Sequence, residues 1–157
     1  MERPRAADRM LIDSHCHLDF PEYAGELDAV IARARAAGVG GMVTISTTLS
    51  RAAKLQGIAR RFPGVWCSVG VHPHETESHT EITTKDLVRL AESESVVGIG
   101  ETGLDYHYEH SPRKVQQNLF RSHIGAARET ALPLIVHTRD ADEDTIGILS
   151  EEMEQGS

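Results

Sequence analysis

Basic side chains are in the minority in this chain, because 16 Lys and Arg stand against 24 Asp and Glu, for a formal net charge of −8. A protein that binds nucleic acid by covering the phosphates with Lys and Arg has the opposite balance. If this chain handles nucleic acid, it must therefore do so at a local site, where metal ions offset the acidic surface.

Cysteines and long apolar runs are also scarce. Two cysteines, Cys16 and Cys67, are too few for a disulfide framework and are expected to be small buried groups in a reducing compartment. No apolar run approaches the ~20 residues of a membrane span, and residues 1–9 lack the apolar core of a signal peptide. We expect residues 1–9 to be a disordered arm of a cytoplasmic protein that has no membrane contact and no obligate protein partner.

Apolar runs and amphipathic stretches alternate along the rest of the chain, which reads as one domain over residues 10–157. Strands are predicted at about 10–13, 41–46, 65–72, 96–101 and 132–137, and helices at about 22–37, 50–62, 84–93, 112–130 and 140–154. In the last helix, Ile146, Leu149 and Met153 are expected to face inward. This α/β alternation predicts a mainly parallel sheet with helical cover.

Two architectures fit this order of elements. One is a complete doubly wound five-stranded sheet, and the other is the first five units of a (β/α)₈ TIM-type barrel. Eight units would need roughly 250 residues, so the length of 157 residues favours the doubly wound sheet. The side chains at the strand ends favour the barrel.

Histidines and one glutamate follow the predicted strands. His15 and His17 are two residues apart and point the same way on a strand. His72, Glu101 and His137 follow three later strands, and the carboxyl ends of parallel strands meet at one rim. Imidazoles with a carboxylate suit Zn²⁺, Mn²⁺ or Fe²⁺, with Mg²⁺ less natural. A carboxylate that bridges two ions suits the hydrolysis of phosphate esters.

Glu101 directly follows an apolar run, and simple alternation places Val97, Ile99 and Glu101 on one face. A carboxylate at the edge of a poorly solvated interior is costly without a partner. A metal ion or a cationic group is therefore expected beside it.

Four segments carry a resemblance to a known family: LIDSHCHLD at 11–19, VGVHPH at 69–74, GIGETGLDY at 98–106 and LPLIVHTRDA at 132–141. On these segments the chain resembles the TatD family of metal-dependent deoxyribonucleases and related hydrolases, within the amidohydrolase superfamily. The resemblance implies a (β/α)₈ barrel with two divalent metal ions (Zn, Mn or Mg) at its carboxyl rim. It also implies cleavage of phosphodiester bonds in DNA by a metal-bound hydroxide.

The resemblance also assigns roles to residues. His15 and His17 match the ligands of one ion, Glu101 matches the bridging catalytic carboxylate, and His137 matches a ligand of the second ion. His72 and Arg139 match rim positions that face substrate, where Arg139 would grip a phosphate. Three further rim residues are weaker candidates (His74, Tyr106 and His107), and three histidines receive no role (His79, His110 and His123).

The family continues with strands that carry another histidine ligand and an aspartate, whereas this sequence ends at Ser157. The leading hypothesis is a DNase-type phosphodiesterase. An amide or ester hydrolase of the same superfamily and an inactive truncated metal-binding product are the alternatives. A flavodoxin-like nucleotide-binding domain is disfavoured because Ser14 and the two histidines occupy the place of a glycine-rich phosphate loop.

Overall fold

Five strand–helix units follow one another along residues 10–155, which are the residues that this computed structural model describes. The strands are β1 (Leu11–Cys16), β2 (Val39–Thr44), β3 (Val65–Val69), β4 (Val96–Asp105) and β5 (Leu134–Arg139). The helices are α1 (Leu27–Ala36), α2 (Ala52–Arg61), α3 (Thr84–Ala91), α4 (Arg113–Thr130) and α5 (Asp142–Gln155), with short 3-10 turns at Pro21–Tyr23, Leu49–Arg51 and Pro73–His79. The predicted arm, residues 1–9, lies outside the described residues. No helix within the described part of the chain is long and apolar enough to cross a membrane.

The order of the strands decides between the two architectures. All neighbouring strands are parallel, and they lie in the sheet in chain order, β1-β2-β3-β4-β5. In a doubly wound sheet the order of the strands reverses at a switch point. In a barrel each strand lies beside the previous one in the chain. The sheet is a curled half-barrel with alternating helices, so the interpretation as the first five units of a TIM-type barrel is correct.

The main core lies between the sheet and its helices. Leu55 of α2, Leu87 of α3 and Ala126 of α4 pack on one apolar cluster, in which the strand residues are Cys67, Val69, Val96 and Ile99. α3 begins at a capping box, since the Thr83 side chain accepts a hydrogen bond from Asp86 N, and Asp86 accepts one from Thr83 N at 3.1 Å. This pair satisfies backbone N–H groups at the helix start and orients α3 over the sheet.

The prediction of buried, unpaired cysteines holds for Cys67, whereas Cys16 is partly buried. Cys16 and Cys67 are free thiols, and Cys67 is fully buried in the core between sheet and helices. Cys16 packs against a second cluster that includes Leu18 and Ile31, and burial, reinforced by the charge of Asp13, raises the pKa of its thiol to about 12. Neither thiol is poised as a nucleophile, because the thiolate is the reactive form.

The strand boundaries differ from the predicted ones. β4 continues to Asp105 because its pairing with β5 continues through Gly103 opposite His137 and Asp105 opposite Arg139. Residues 102–105 were predicted to be loop, and this prediction is wrong. β3 ends earlier than predicted, at Val69.

The inward face of α5 was predicted only in part. Ile146 and Met153 are 64% and 75% exposed, so their predicted inward orientation is wrong. Ile148 is a buried apolar side chain of α5 that packs with Leu104 and Phe120, and Leu149 borders the same cluster. The face of α5 that packs on the core is therefore rotated about the helix axis from the face that the apolar spacing indicated.

His123, which the sequence left without a role, is a fully buried structural residue of α4. Its Nε2 accepts a hydrogen bond from Val71 N at 3.1 Å, and its Nδ1–H donates to Leu119 O at 2.8 Å. Burial lowers the pKa of this imidazole to about 4. The neutral ring therefore joins α4 to the chain segment that leads to His72.

Acidification should destabilise the fold through His123. The native ring stays neutral down to a pKa of about 4, while the unfolded chain takes up a proton below 6.5, so stability falls as the pH drops through this window. His123→Gln keeps one acceptor and one donor but does not titrate. We expect the wild type to lose about 2 kcal/mol more unfolding free energy than the variant between about pH 7 and 5, as measured by urea denaturation. Equal pH dependence of the two proteins would contradict this role.

Candidate metal centre

The carboxylate of Glu101 lies between histidines from two other strands. Its Oε2 is 3.4 Å from His15 Nε2 of β1, and its Oε1 is 3.2 Å from His137 Nδ1 of β5. In a flat sheet β1 and β4 would lie about 14 Å apart, since neighbouring strands are about 4.8 Å apart. The contact between His15 and Glu101 therefore shows that the sheet is curled, because the curl brings its first strand towards its fourth.

Two groups of possible ligands share Glu101. His15, His17 and Glu101 form one group, and His72, Glu101 and His137 form the other, with one ligand atom of each residue within 4.8 Å of the others in its group. Imidazole and carboxylate donors suit Zn²⁺ and other divalent transition metals. The donor set thus fits the two ions that the sequence indicated, and the strand-end residues expected to meet do meet.

His17 is held so that one ring nitrogen remains available. Its Nδ1–H donates to Ile45 O at 3.3 Å, and its ring stacks on Phe20 with centroids 4.7 Å apart. A hydrogen bond from one imidazole nitrogen to a backbone carbonyl fixes the tautomer and leaves the other nitrogen as an acceptor. This is the arrangement that a metal-binding histidine requires.

The direction of Glu101 depends on Gly100. Ile99 packs towards the helices with Leu87, whereas Glu101 faces the histidines, so the predicted common face of Ile99 and Glu101 is wrong. The pairing register with β5 shifts between Gly100 and Thr102, and Gly100 has a φ of +132°. A Cβ on Gly100 would lie 2.5 Å from Ile135 O. Only glycine allows this close approach and the change of face.

The charges of the cluster are set by its contacts. Burial acts to raise the pKa of Glu101, but the hydrogen bond from His137 and the nearby His72 and His15 outweigh it and lower that pKa. The hydrogen bond to Glu101 raises the pKa of His137. Burial lowers the pKa of His72 to about 4. The centre therefore holds an ionised carboxylate beside a neutral His72.

Asp105 is a site residue that the sequence interpretation missed. It is 1% exposed, and its Oδ2 accepts hydrogen bonds from His74 Nε2 at 2.8 Å and from His137 Nε2 at 3.1 Å. Its Oδ1 accepts from the backbone N–H groups of His107 at 3.0 Å and Tyr108 at 3.2 Å. Burial acts to raise the pKa of Asp105, but these donors lower it to about 2. The sequence did contain a signal for Asp105. It follows Glu101 by an even number of residues, so alternation along a strand would place the two side chains on the same face.

The backbone of Asp105 is fixed by Gln116 of α4, which is completely buried. Gln116 Oε1 accepts from Asp105 N at 2.8 Å, and its Nε2 donates to Asp105 O at 3.1 Å and to Ser111 O at 2.8 Å. One side chain therefore satisfies two backbone groups at the end of β4 and one just before α4. This clamp was not predicted from the sequence.

The other predicted rim residues are distributed around the centre. The Arg139 guanidinium lies 4.6 Å from the centroid of the Tyr108 ring. His107 Nδ1–H donates to Asp140 at 2.8 Å, and Tyr106 OH donates to Asp144 at 2.6 Å, so both of these weaker candidates bind the segment around the start of α5.

The remaining histidines belong to two different groups of contacts. His74 contacts the ring of His110, to which the sequence assigned no role, with centroids 4.7 Å apart. His79 Nε2 lies 3.2 Å from the Thr48 hydroxyl, on the segment after β2. His74 therefore belongs to the Asp105 network, and His79 to a neighbouring surface.

A sequence profile described as "TatD related DNase" matches residues 12–157. The chain belongs to the TatD-related DNase family. It is 42% identical over 145 residues to the uncharacterized metal-dependent hydrolase YcfH of Escherichia coli K12, covering 90% of this chain and 54% of that protein. Over 140 residues it is 35% identical to the 3′-5′ ssDNA/RNA exonuclease TatD of Enterobacter lignolyticus, covering 89% of this chain and 54% of that protein. The chain thus spans about half the length of these relatives.

The fold is also that of a TatD protein. The crystal structure of YJJV, a TatD homologue from Escherichia coli K12, matches with a TM-score of 0.83 and 30% sequence identity. The match covers 90% of this chain and 56% of that one. Relatives of the chain are named metal-dependent hydrolases and TatD nucleases.

Replacing Gln116 should destabilise the end of β4. Gln116→Ala leaves the N–H and C=O of Asp105 without their partner in a buried place, which should cost about 2–3 kcal/mol of unfolding free energy. Asn118→Ala, an exposed amide on the same helix, is the matched control and should change stability little. Chemical denaturation of the three proteins measures the difference, and equal losses in both variants would contradict the clamp.

Proposed function

We propose that the protein is a metal-dependent phosphodiesterase that acts on DNA, with two divalent ions held by His15, His17, Glu101 and His137. The observation that carries the proposal is the Glu101 carboxylate, which directs Oε2 to His15 and Oε1 to His137. A carboxylate with one oxygen towards each of two histidine groups is suited to bridge two ions. Zn, Mn or Mg ions in such a pair would polarise a phosphate and activate water for in-line displacement.

His72 acts on the substrate in this proposal, although it also lies within reach of Glu101 and His137. Its Nδ1 accepts a hydrogen bond from His74 N at 3.2 Å, so the ring proton belongs on Nε2. Burial keeps the ring neutral, with a pKa of about 4. A neutral imidazole whose Nε2 carries a proton is a hydrogen-bond donor, which suits a phosphate oxygen better than a metal ion.

Arg139 supplies the positive charge that the acidic surface lacks. Its guanidinium lies over the Tyr108 ring, which restricts its plane while leaving the side chain exposed at the rim. A guanidinium can bind two phosphate oxygens at once. The names of relatives such as the Enterobacter lignolyticus ssDNA/RNA exonuclease support a nucleic acid substrate.

Hydrolysis should depend on Glu101 and on divalent metal. Glu101→Gln keeps the shape but removes the charge between the two histidine groups, so we expect lower metal content and at least a ~100-fold loss of activity. The measurements are bound metal per chain and release of nucleotides from labelled single-stranded DNA at fixed ionic strength, with and without chelator. Glu129→Gln, an exposed carboxylate on α4, is the control.

The same experiment separates the rival chemistry. Turnover of simple amides and lactones, run beside DNA, should be much slower than DNA cleavage. Metal-dependent turnover of amides with no DNA cleavage would replace the nuclease proposal with an amidohydrolase one. Full metal content and activity in Glu101→Gln would overturn the site assignment.

Arg139 should affect substrate binding but not metal binding. Arg139→Ala should raise the KM for single-stranded DNA about 10-fold, because one positive charge no longer binds the phosphate backbone. The slope of log KM against log salt concentration should fall by about the amount expected for one lost phosphate contact. Metal content should be unchanged. Arg128→Ala, which removes an α4 arginine that binds Glu152, is the matched control. An unchanged KM in Arg139→Ala would remove this residue from the substrate site.

A further inference from the structure

The two carboxylate oxygens of Asp105 have different partners. Oδ1 accepts from the backbone N–H groups of His107 and Tyr108, whereas Oδ2 accepts from the imidazoles of His74 and His137. Backbone amides cannot reverse their role as donors, so Oδ1 must remain an acceptor. The carboxylate therefore has a fixed orientation, and Oδ2 is directed at the two imidazoles.

We propose that Asp105 is the positioning residue of the metal centre: it keeps a proton on His137 Nε2, so that Nδ1, the ring atom that meets Glu101, is the one that loses its proton when metal binds. His137 Nε2 lies 3.1 Å from Asp105 Oδ2, while its Nδ1 lies 3.2 Å from Glu101 Oε1. The two ring nitrogens are thus divided between one buried carboxylate and the centre. The inference rests on the metal site of the proposed function.

Asp105 is held by its burial, by hydrogen bonds to its backbone and by strand pairing. The side chain is 1% exposed, Gln116 binds its backbone N–H and C=O, and β4 pairs with β5 at this level, Asp105 opposite Arg139 and Gly103 opposite His137. Metal-binding histidines commonly donate their second ring N–H to such a carboxylate, and loss of that partner costs 10–100-fold in metal affinity. In this chain Asp105 holds the position of that partner.

Asp105→Asn gives a directional test. The backbone N–H groups of His107 and Tyr108 require the amide oxygen at the Oδ1 position, so the amide NH₂ must take the Oδ2 position. There it would donate towards His137 Nε2, which must then become the acceptor. The one ring proton is then retained on Nδ1, where it donates to Glu101, and the lone pair that the metal needs on Nδ1 is lost.

Two readouts test this without any measurement of hydrolysis. Long-range ¹H–¹⁵N spectra of ¹⁵N-histidine protein loaded with Zn²⁺ should show wild-type His137 with Nε2 protonated and Nδ1 bound to metal. Zn²⁺ titration by calorimetry should show 10–100-fold weaker binding in Asp105→Asn. Asp140→Asn is the control, because Asp140 binds the ring of His107 at 2.8 Å and its φ of 53° is one that asparagine tolerates. This variant should bind Zn²⁺ as the wild type does.

Three outcomes would overturn the proposal. In the first, the spectra show that metal binds Nε2 of wild-type His137. In the second, a folded Asp105→Asn variant binds Zn²⁺ as tightly as the wild type. In the third, Asp140→Asn loses as much Zn²⁺ affinity as Asp105→Asn. If Asp105→Asn does not fold, the wild-type spectrum alone decides. Loss of DNA cleavage with the expected ring protonation would count against the proposed substrate and leave the role of Asp105 intact, so the two failures are distinguishable.

Discussion

The arrangement of the centre depends on one partly buried carboxylate, that of Glu101, which must be satisfied by side chains from two other strands, one of them three positions away in the sheet. His15 comes from β1 and His137 from β5, at 3.4 and 3.2 Å. A poorly solvated ionised carboxylate without such partners would be costly. The curl of the sheet and the cluster of imidazoles are therefore coupled, because the sheet must bend for these side chains to meet.

Around this centre the buried polar groups are arranged in layers. Asp105 accepts hydrogen bonds from His74 and His137, and Gln116 of α4 fixes the backbone of Asp105. His123, also on α4, holds the backbone at Val71, next to His72. One helix thus supports two of the rim segments that carry site residues, through side chains that are completely buried. Such fully satisfied networks specify one arrangement of a core.

Several features were predictable because they depend on local pattern. The alternation of strands and helices, the free buried cysteines and the histidines at the strand ends follow from apolar periodicity and residue type. The face of Glu101 was not predictable from alternation, since Gly100 and the register shift redirect the strand. The predicted orientation of Ile146 and Met153 was wrong for a related reason. The packing of Ile148 against Leu104 and Phe120, and not the apolar spacing alone, decides which face of α5 is buried.

By itself the sequence determined the parallel α/β class and the residue types that gather at the rim, because both follow from the periodicity of side chains along single elements. The choice between a doubly wound sheet and a barrel required the strand order, which is a property of pairing between distant segments. The spacing from Glu101 could have indicated Asp105, but its hydrogen-bond partners emerged only from the tertiary structure. Its role depends on continued pairing of β4 with β5 and on Gln116 from a helix that follows, and neither contact is visible in the pattern of β4.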